Sequence, residues 1–407
     1  MAPSDKSTNG ADQRESGRAQ VLGVIRKVGQ VARIDIAQEI GVSPATVTAL
    51  TSELLAAGLI EEIAPEAVPG KPTGRGRPRV ALRLRGAAHL IAGIKVAHSS
   101  LSVALVDFQG KTLHEHTAPM PDPKLNAQAL VQIIRDTLIK ALAGIDKTLS
   151  DLSGVGLGVA GVIDAPNGFV HWSPTLTQRN VQLRNMLQQA IDLPIFIDND
   201  ANLVAKAEQL FGEGRGVKDF IVVTVEHGVG MGIVIDGQIY RGTRGCGAEF
   251  GHTKVHLDGA LCRCGQRGCL EAYVADYALL REAQLAVPPP GEGVETQLAQ
   301  LSMAAKAGDS TAQSIFDRAG RMFALGLANI VNIFDPKLII LSGERMQFDY
   351  LYADQVIADM KSMVVQVDSP PPEVRIHKWG DLMWARGAAA YGIEGVTDLA
   401  VRAMSNA

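Results

Sequence analysis

The chain has 407 residues, 46% of them hydrophobic, and a net charge of −4, values that are ordinary for a globular protein and exclude a uniformly basic nucleic-acid binder. Its length predicts two or three domains, and we find no apolar run long enough to cross a bilayer. The polar N-terminus lacks the apolar core of a signal peptide, so we expect a cytoplasmic protein with no membrane partner. Four cysteines do not make a disulfide scaffold, and their clustering favours metal ligation in a reducing compartment.

The N-terminal region carries a helix-turn-helix pattern. Residues 1–15 are rich in Ser, Asp, Asn and Gly, which predicts a disordered tail, and apolar spacing predicts a first helix from Ser16. The stretch "ARIDIAQEIGVSPATVTALTSELLAAGLIEE" predicts two more helices around a short turn. Gly41 suits the end of the earlier helix, while Ser43 suits the N-cap and Pro44 the first turn of the later one.

The second helix of such a pattern enters the major groove of DNA and presents its N-terminal residues to the bases. The candidate contacts here are Ser43, Ala45, Thr46 and Thr48, and we expect Thr51 near the same outer face. An unrelated helical hairpin is a competing interpretation of this segment taken alone.

The residues that follow favour DNA binding over a plain hairpin. The segments "GLIEEI" and "VALRLRG" predict two short strands joined by a basic loop, which is the arrangement of a wing. Arg75, Arg77 and Arg79 in that loop suit a narrow minor groove, although a solvated interdomain linker has similar composition. We therefore predict a winged helix-turn-helix domain over residues 16–86 that binds operator DNA.

After Ala87 strands alternate with helices, which predicts an α/β architecture. The strand–turn–strand segments "LIAGIKVAHSSLSVALVD" and "DFIVVTVEHGVGMGIVID" begin two similar halves and suggest an internal duplication around a central cleft. We assign a first lobe to residues 87–205, completed by a C-terminal helix near 383–407, and a second lobe with the cysteine motif to residues 206–382.

The most specific chemical motif combines three cysteines with a histidine. "EFGH" ends at His252, and "CRCGQRGCLE" supplies Cys262, Cys264 and Cys269. One imidazole and three thiolates form the closed tetrahedral set of a structural zinc ion, whereas a catalytic zinc keeps an open position. A redox dithiol is the alternative, but Cys-x-Cys differs from the usual Cys-x-x-Cys. We predict one structural zinc ion per chain and regard Cys246 as a plain thiol.

Polar residues near these motifs suit ligand binding. "IDNDAN" places Asn199 and Asp200 at the end of a strand, where α/β folds gather ligand groups. Both can bond hydroxyls, and Asp200 can act as a general base. An Asx turn with a helix N-cap explains the same residues without any function. Glu249 and Glu271 flank the metal motif without completing a ligand set, so they are free to face a ligand.

Together these motifs resemble the ROK family of bacterial repressors and sugar kinases, in particular its xylose-repressor and N-acetylglucosamine-repressor types. The resemblance implies a two-lobed actin-like, hexokinase-like (ribonuclease H-like) fold after the DNA-binding domain, and a structural zinc ion. It implies that Asp200 stands at the kinase base position and that His252 binds zinc through one ring nitrogen and sugar through the other. The positions expected to contact a monosaccharide are Gly161, Asn199, Asp200, Glu249, His252 and Glu271.

The departures from the kinases of this family fall on the nucleotide side. Where those kinases begin the fold with Asp-x-Gly-Gly-Thr, this chain has Lys95, Ala97 and His98, and side chains at glycine positions block backbone approach to phosphate. The second phosphate loop, "EHGVGMG", brings in Glu226 and His227, and the glycine run of the adenosine-side turn is reduced to "LSGERM". Loss of the Asp also removes a carboxylate expected to organise magnesium.

We therefore predict a sugar-responsive transcriptional regulator and not an enzyme, with repression as the expected direction. It would bind a monosaccharide or sugar phosphate in the interlobe cleft without phosphorylating it, and read a palindromic operator as a homodimer or tetramer. One alternative is an ATP-dependent sugar kinase that retains a DNA-binding domain. Another is a repressor controlled by a protein partner.

Overall fold

A computed structural model describes residues 6–63, 80–245, 247–286, 293–343, 354–365, 368, 370–378 and 382–405. Within them the helices are α1 (Lys6–Val28), α2 (Arg33–Ile40), α3 (Pro44–Ala56), α4 (Ala127–Ala143), α5 (Leu183–Ile191), α6 (Asp200–Phe211), α7 (Glu271–Val274), α8 (Asp276–Ala286), α9 (Val294–Lys306), α10 (Ser310–Phe334), α11 (Asp354–Met363) and α12 (Met383–Ala403). The strands are β1 (Val31–Ala32), β2 (Ile60–Ile63), β3 (Ala81–Leu84), β4 (Leu90–Val96), β5 (Ser100–Asp107), β6 (Thr112–Pro119), β7 (Leu152–Val159), β8 (Val162–Asp164), β9 (Phe169–Trp172), β10 (Ile195–Asn199), β11 (Phe220–Val225), β12 (Val229–Ile235), β13 (Gln238–Tyr240), β14 (Leu338–Ser342) and β15 (Glu373–Ile376).

The chain divides into two compact units. Unit 1 takes the described residues of 1–158, 174–197 and 388–407, and unit 2 takes those of 159–173 and 198–387. Helix α6 therefore belongs to unit 2, whereas the sequence-based limits divide it between the two lobes. The functional division into a tail, a DNA-binding domain and two lobes stays a prediction.

A winged helix-turn-helix opens unit 1. Helices α2 and α3 are joined by a three-residue turn, and β1 and β2 pair antiparallel on either side of β3. Gly41 ends α2 with φ 71°, in the left-handed region. The backbone N–H of Thr46 donates to Ser43 Oγ at 3.1 Å, and Pro44 is the first residue of α3. The predicted caps and turn are confirmed.

Two features of this domain differ from the sequence-based expectation. Helix α1 begins at Lys6, ten residues before Ser16, so residues 6–15 are helical in place of the expected tail. Farther along this helix, Arg14 and Arg18 both pair with Glu53 of α3.

Thr51 was expected near the outer face but is buried. Its hydroxyl accepts a bond from Arg33 Nε at 3.0 Å and donates to Thr48 O at 3.2 Å. A buried hydroxyl with both roles satisfied carries no unpaired polar group, which explains why threonine is tolerated inside this core.

Each unit contains a five-stranded sheet of the same pattern. The order is β10-β7-β4-β5-β6 in one sheet and β13-β12-β11-β14-β15 in the other. In one sheet β4 pairs antiparallel with β5, and β5 with β6. In the other, β11 pairs antiparallel with β12, and β12 with β13. The later strands β7 and β10 lie on the other side of β4, and β14 and β15 lie on the other side of β11. Strand β14 runs parallel to β11. The repeated order confirms the α/β class and agrees with the suggested duplication.

The core of unit 2 anchors the cysteine motif. Cys262, Cys269 and Leu270 belong to the same buried apolar cluster as Phe323 of α10 and Ile339 of β14. The motif therefore lies on a packed support. None of the described helices, the 25-residue α10 included, has both the length and the apolar character to cross a membrane.

Candidate metal and ligand site

The four predicted metal ligands converge on one point. The ligand atoms of His252, Cys262, Cys264 and Cys269 all lie within 4.8 Å of one another. His252 Nδ1 is 3.7 Å from Cys262 Sγ, and the sulfurs of Cys264 and Cys269 are also 3.7 Å apart. Tetrahedral Zn–S bonds of about 2.3 Å place two sulfurs about 3.8 Å apart. The donor set therefore fits a zinc ion in both chemistry and spacing.

The backbone of the loop that carries these cysteines brings them together. Cys262 N donates to Gln266 O at 2.8 Å, and Gly268 N donates to Ala260 O at 2.9 Å. Gly268 has φ 75°, and a Cβ at this position would lie 1.7 Å from His256 O. A side chain would thus both strain the backbone and collide with it, so the sharp turn before Cys269 requires glycine.

Two side chains outside the ligand set bond the thiols. Lys254 Nζ donates to Cys269 Sγ at 2.9 Å, and this contact raises the pKa of Lys254. Tyr277 OH donates to Cys262 Sγ at 3.5 Å. Burial raises the pKa of Cys262 to about 12, so zinc binding would release a proton from this thiol. Sequence reasoning missed both partners, although a lysine two residues after a ligand is a recognisable counter-charge.

The "IDNDAN" segment forms the junction between β10 and α6. Asn199 caps α6, because Ala201 N donates to its Oδ1 at 2.9 Å, and Asn199 Nδ2 donates to Gly161 O at 2.8 Å. Gly161 has φ 124°, and a Cβ there would lie 2.2 Å from Trp172 O. The capping interpretation of Asn199 is thus confirmed. Its side-chain amide also donates a hydrogen bond to Gly161, another predicted sugar contact. The sugar role of both residues stays a prediction.

Three carboxylates and an imidazole gather in unit 2. His252 Nε2 lies 4.0 Å from Glu249 Oε2. Burial raises the pKa of Glu249, and the charges of Asp200 and Glu271 raise it further against the opposing effect of His252. Val229 N donates to Glu271 Oε2 at 3.4 Å. We name Asp200, Glu249 and Glu271 the carboxylate cluster. Carboxylates accept hydrogen bonds from hydroxyls, so the cluster suits a polyhydroxylated ligand.

The metal motif and the carboxylate cluster share three links, and one of them is direct, because Cys262 Sγ donates to Glu271 Oε1 at 3.5 Å. The ring nitrogens of His252 face different groups, with Nδ1 toward Cys262 and Nε2 toward Glu249. Tyr277 is the third link, because its hydroxyl lies 3.3 Å from Glu271 Oε1 and 3.5 Å from Cys262 Sγ. Burial raises the pKa of Tyr277, which keeps the hydroxyl protonated and able to donate.

The first nucleotide-side departure lies in unit 1. Lys95 is buried in β4, opposite Ser102 of β5. The backbone N–H of Ala97 donates to Ser100 O at 2.9 Å and closes the turn between the two strands. This N–H is therefore engaged within its own turn.

The second departure lies in unit 2, between β11 and β12. Glu226 N donates to Gly228 O at 2.9 Å, and His227 Nδ1 lies 3.1 Å from the buried Asp276 Oδ2. The loop is thus closed by its own residues and by a carboxylate. In the third segment, "LSGERM", only the first three residues are described.

The predicted DNA contacts on α3 are exposed. These are Ser43, Ala45, Thr46 and Thr48. The hydroxyls of Ser43 and Thr46 lie 2.9 Å apart, and Thr48 Oγ1 donates to Pro44 O at 2.8 Å. The other predicted contacts, Arg75, Arg77 and Arg79, lie outside the described residues, as does Cys246.

Comparison with known proteins places these features in one family. A family model described as "ROK family" matches residues 91–394. The chain is 31% identical over 366 residues to the xylose repressor of Caldicellulosiruptor bescii, covering 87% of this chain and 90% of the relative. It is 28% identical over 344 residues to the DNA-binding transcriptional dual regulator NagC of Escherichia coli, covering 83% and 82%.

A kinase and a regulator of known structure are also similar to this chain. The glucokinase of Streptomyces coelicolor is 29% identical over 323 residues, which span 76% of this chain and 97% of the kinase. The crystal structure of a ROK family transcriptional regulator, a homologue of the Escherichia coli MLC protein, has a TM-score of 0.79. That match covers 97% of this chain and 99% of the other at 22% identity, so it shows the fold.

Proposed function

Because the chain belongs to the ROK family, we propose that it is a sugar-responsive transcriptional regulator, and specifically a repressor. One observation carries this proposal. A winged helix-turn-helix and a polar cluster suited to sugar hydroxyls occur in one chain, and its two described nucleotide-side turns bond the backbone N–H groups of Ala97 and Glu226 internally. The xylose repressor and the transcriptional dual regulator NagC among its relatives support the function of a regulator.

In this proposal α3 and the arginine-rich segment after β2 bind operator DNA. Two copies of the chain, as a homodimer or within a tetramer, read two half-sites of a palindromic operator. The effector changes operator affinity because it binds one conformation of the protein more tightly than another. We expect this regulator in the cytoplasm, where operator DNA is present.

The proposed effector is a monosaccharide or its phosphate. Its hydroxyls donate to the carboxylate cluster and to Asn199 Oδ1, and accept from groups such as His252 Nε2. The full set of proposed sugar contacts is Gly161, Asn199, Asp200, Glu249, His252 and Glu271.

One zinc ion per chain would be held by His252, Cys262, Cys264 and Cys269, whose spacing fits it. A closed set of four protein ligands leaves no open position, so the ion supplies rigidity and no chemistry. It would hold His252 in place, so that the Nε2 of the same ring faces the sugar.

Phosphoryl transfer is disfavoured by the two described nucleotide-side turns. Backbone N–H groups that bind phosphate must point at the ligand, but those of Ala97 and Glu226 are bonded within their own turns. Lys95 stands buried where the kinases of the family have an Asp, and His227 pairs with Asp276. Asp200 then occupies the position of a general base without a phosphoryl donor to use it.

The test combines binding with turnover. Purified full-length chain is mixed with glucose, xylose, N-acetylglucosamine or their phosphates, with and without Mg-ATP. Thermal unfolding reports binding, and a coupled assay reports ADP. We expect at least one sugar to raise the Tm, because a ligand at 100 times its Kd stabilises the folded state by about 2.7 kcal/mol. ATP alone should not raise it, and no ADP should form.

Two outcomes would replace this proposal. Sugar-dependent ADP formation that Asp200→Asn abolishes would identify a kinase that retains a DNA-binding domain. Regulation that survives Asn199→Ala and Glu271→Ala would identify a repressor controlled by a protein partner.

A further inference from the structure

We propose that Asp198 and Arg241 form a positioning pair for the sugar contacts, acting through their neighbours and not as sugar ligands. This inference rests on the proposed function, because it concerns the same cluster of residues. Neither residue belongs to the metal set or to the predicted sugar contacts.

Asp198 is a buried carboxylate with all of its bonding capacity in use. Its side chain is 1% exposed. Its Oδ2 accepts from Arg241 Nε at 2.8 Å and from a terminal guanidinium nitrogen at 2.6 Å. Its Oδ1 accepts from Asn199 N at 2.7 Å and from Asn202 Nδ2 at 3.0 Å. Charge-assisted bonds of this kind fix geometry more strongly than neutral ones.

The two ends of the pair are each attached to predicted sugar contacts. Asp198 immediately precedes Asn199 and Asp200 and holds the backbone N–H of Asn199 directly. Arg241 begins the segment that leads to Glu249, and its carbonyl accepts from Gly247 N at 2.9 Å. The ion pair therefore ties the start of α6 to the chain segment that delivers Glu249, across 43 residues of sequence.

The backbone beside Glu249 provides independent support. Ala248 has φ 70°, a left-handed conformation that an alanine rarely adopts. Such a conformation persists only where the surrounding structure imposes it. The bond between Gly247 N and Arg241 O lies just before this residue, and the side chain of Arg241 is anchored on Asp198. The pair thus fixes the position of Arg241, and through its bond to Gly247 it fixes the strained backbone that carries Glu249.

Removing one partner leaves a buried charge uncompensated, whereas removing both does not. A residue with a purely structural role would change stability alone. A positioning residue must also change sugar affinity in a chain that remains folded, zinc-loaded and able to bind DNA.

The experiment compares four variants with wild type. They are Arg241→Met, Arg241→Lys, Asp198→Asn and the double variant Asp198→Asn/Arg241→Met. The matched control is Arg375→Met, which removes an arginine that pairs with Glu373 and Glu213 elsewhere in unit 2. Affinity is measured calorimetrically for glucose, xylose and N-acetylglucosamine, with Tm, zinc content and sugar-free DNA binding measured on the same samples.

We expect Arg241→Met to weaken sugar binding about tenfold or more, and Arg241→Lys and Asp198→Asn to weaken it less. Arg375→Met should stay within about twofold of wild type. The double variant should regain the Tm that Arg241→Met loses, because no lone charge remains buried, but not its sugar affinity. Zinc content and sugar-free DNA binding should match wild type throughout.

Two results would overturn the inference alone. One is a wild type that binds sugar and an Arg241→Met variant that binds it equally well. The other is a double variant that regains sugar affinity together with Tm. If Arg241→Met does not fold, Arg241→Lys and Asp198→Asn decide, and unchanged affinity in both rejects the pair. A wild type that binds none of the sugars rejects the sugar-binding part of the proposed function, and this inference with it.

Discussion

Replacing Tyr277 with phenylalanine tests whether the zinc motif and the carboxylate cluster are coupled. The change keeps the ring, over which the Arg263 guanidinium lies at 4.1 Å, and removes only the hydroxyl. That hydroxyl lies 3.5 Å from Cys262 Sγ and 3.3 Å from Glu271 Oε1, and it accepts from Arg263 N at 3.4 Å. Without it, Glu271 and Cys262 lose their common partner and keep only the direct contact between Cys262 Sγ and Glu271 Oε1 at 3.5 Å.

The expected magnitude follows from those distances. A net hydrogen bond contributes about 1 kcal/mol, and all three contacts are at the long end of the bonding range. We therefore expect Tyr277→Phe to cost sugar binding about 0.5–1 kcal/mol, which is roughly a two- to fivefold rise in Kd. Zinc transfer to a chromogenic chelator should become faster by a similar factor.

The control for this prediction is Tyr273→Phe. The hydroxyl of Tyr273 accepts from Ala260 N at 2.8 Å and so supports the backbone of the cysteine motif. We expect this variant to change the stability of the motif and to leave the sugar Kd within about twofold of wild type. The reasoning would be refuted if Tyr277→Phe left both sugar Kd and zinc transfer unchanged, or if the two variants raised the sugar Kd equally.

Three further predictions follow from the described contacts. Cys264→Ser should lower the zinc content from about one per chain, measured by elemental analysis, and weaken the sugar response, since three ligands hold zinc less well than four; a full response without zinc would disprove the coupling through the metal motif. Ser43→Ala removes the cap on Thr46 N and should lower the free energy of unfolding by about 1 kcal/mol. It should also weaken operator binding, and an unchanged Tm would contradict the prediction. Glu53 is paired with Arg18, and although partial burial raises its pKa, bonds from Arg18 and a second arginine lower it below 4.5. Because the pKa of Glu53 is lower in the folded state, its ion pairs stabilise the protein at pH values above the ordinary pKa of 4.5. The Tm difference between wild type and Glu53→Gln should therefore be present at neutral pH and vanish as the pH falls below 4.5 through the folded pKa. A Tm difference that persists in acid would reject the pairing.

Local signals explain which parts of the fold could be predicted. The ends of α2 and α3 follow from Gly41, Ser43 and Pro44, whose preferences depend on their own backbone and on neighbours three residues away. The α/β class and the duplicated sheets follow from apolar periodicity and glycine turns, which are also local. The start of α1 was not predictable in this way, because its first turn carries no acidic residue and the segment shows no apolar periodicity.

The candidate site likewise contains residues that local sequence signals predict and residues that they do not. The metal ligands have a motif of their own, so their convergence could be predicted from spacing alone. Asn199, Asp200, Glu249 and Glu271 could be predicted as ligand-facing residues from the sequence, whereas their assignment to a sugar came from a family resemblance. The structure adds the contact of Asn199 with Gly161.

Tyr277 and Arg241 make contacts that no local pattern encodes, whereas Lys254 stands two residues after a metal ligand and could have been recognised as a counter-charge. Asp198, buried near the end of β10, signals that a partner is needed, but not which of the arginines supplies it.

The central claim is that sugar changes DNA binding without being phosphorylated, and one titration tests it most directly. A DNA sequence selected from a random pool by the full-length chain is labelled, and its binding is followed by fluorescence anisotropy with sugar and Mg-ATP present, while ADP is assayed in the same sample. The account predicts that a sugar which raises the Tm shifts the DNA Kd and that no ADP appears. A DNA Kd that no sugar or sugar phosphate moves, or ADP formed at a sugar-dependent rate, would contradict it.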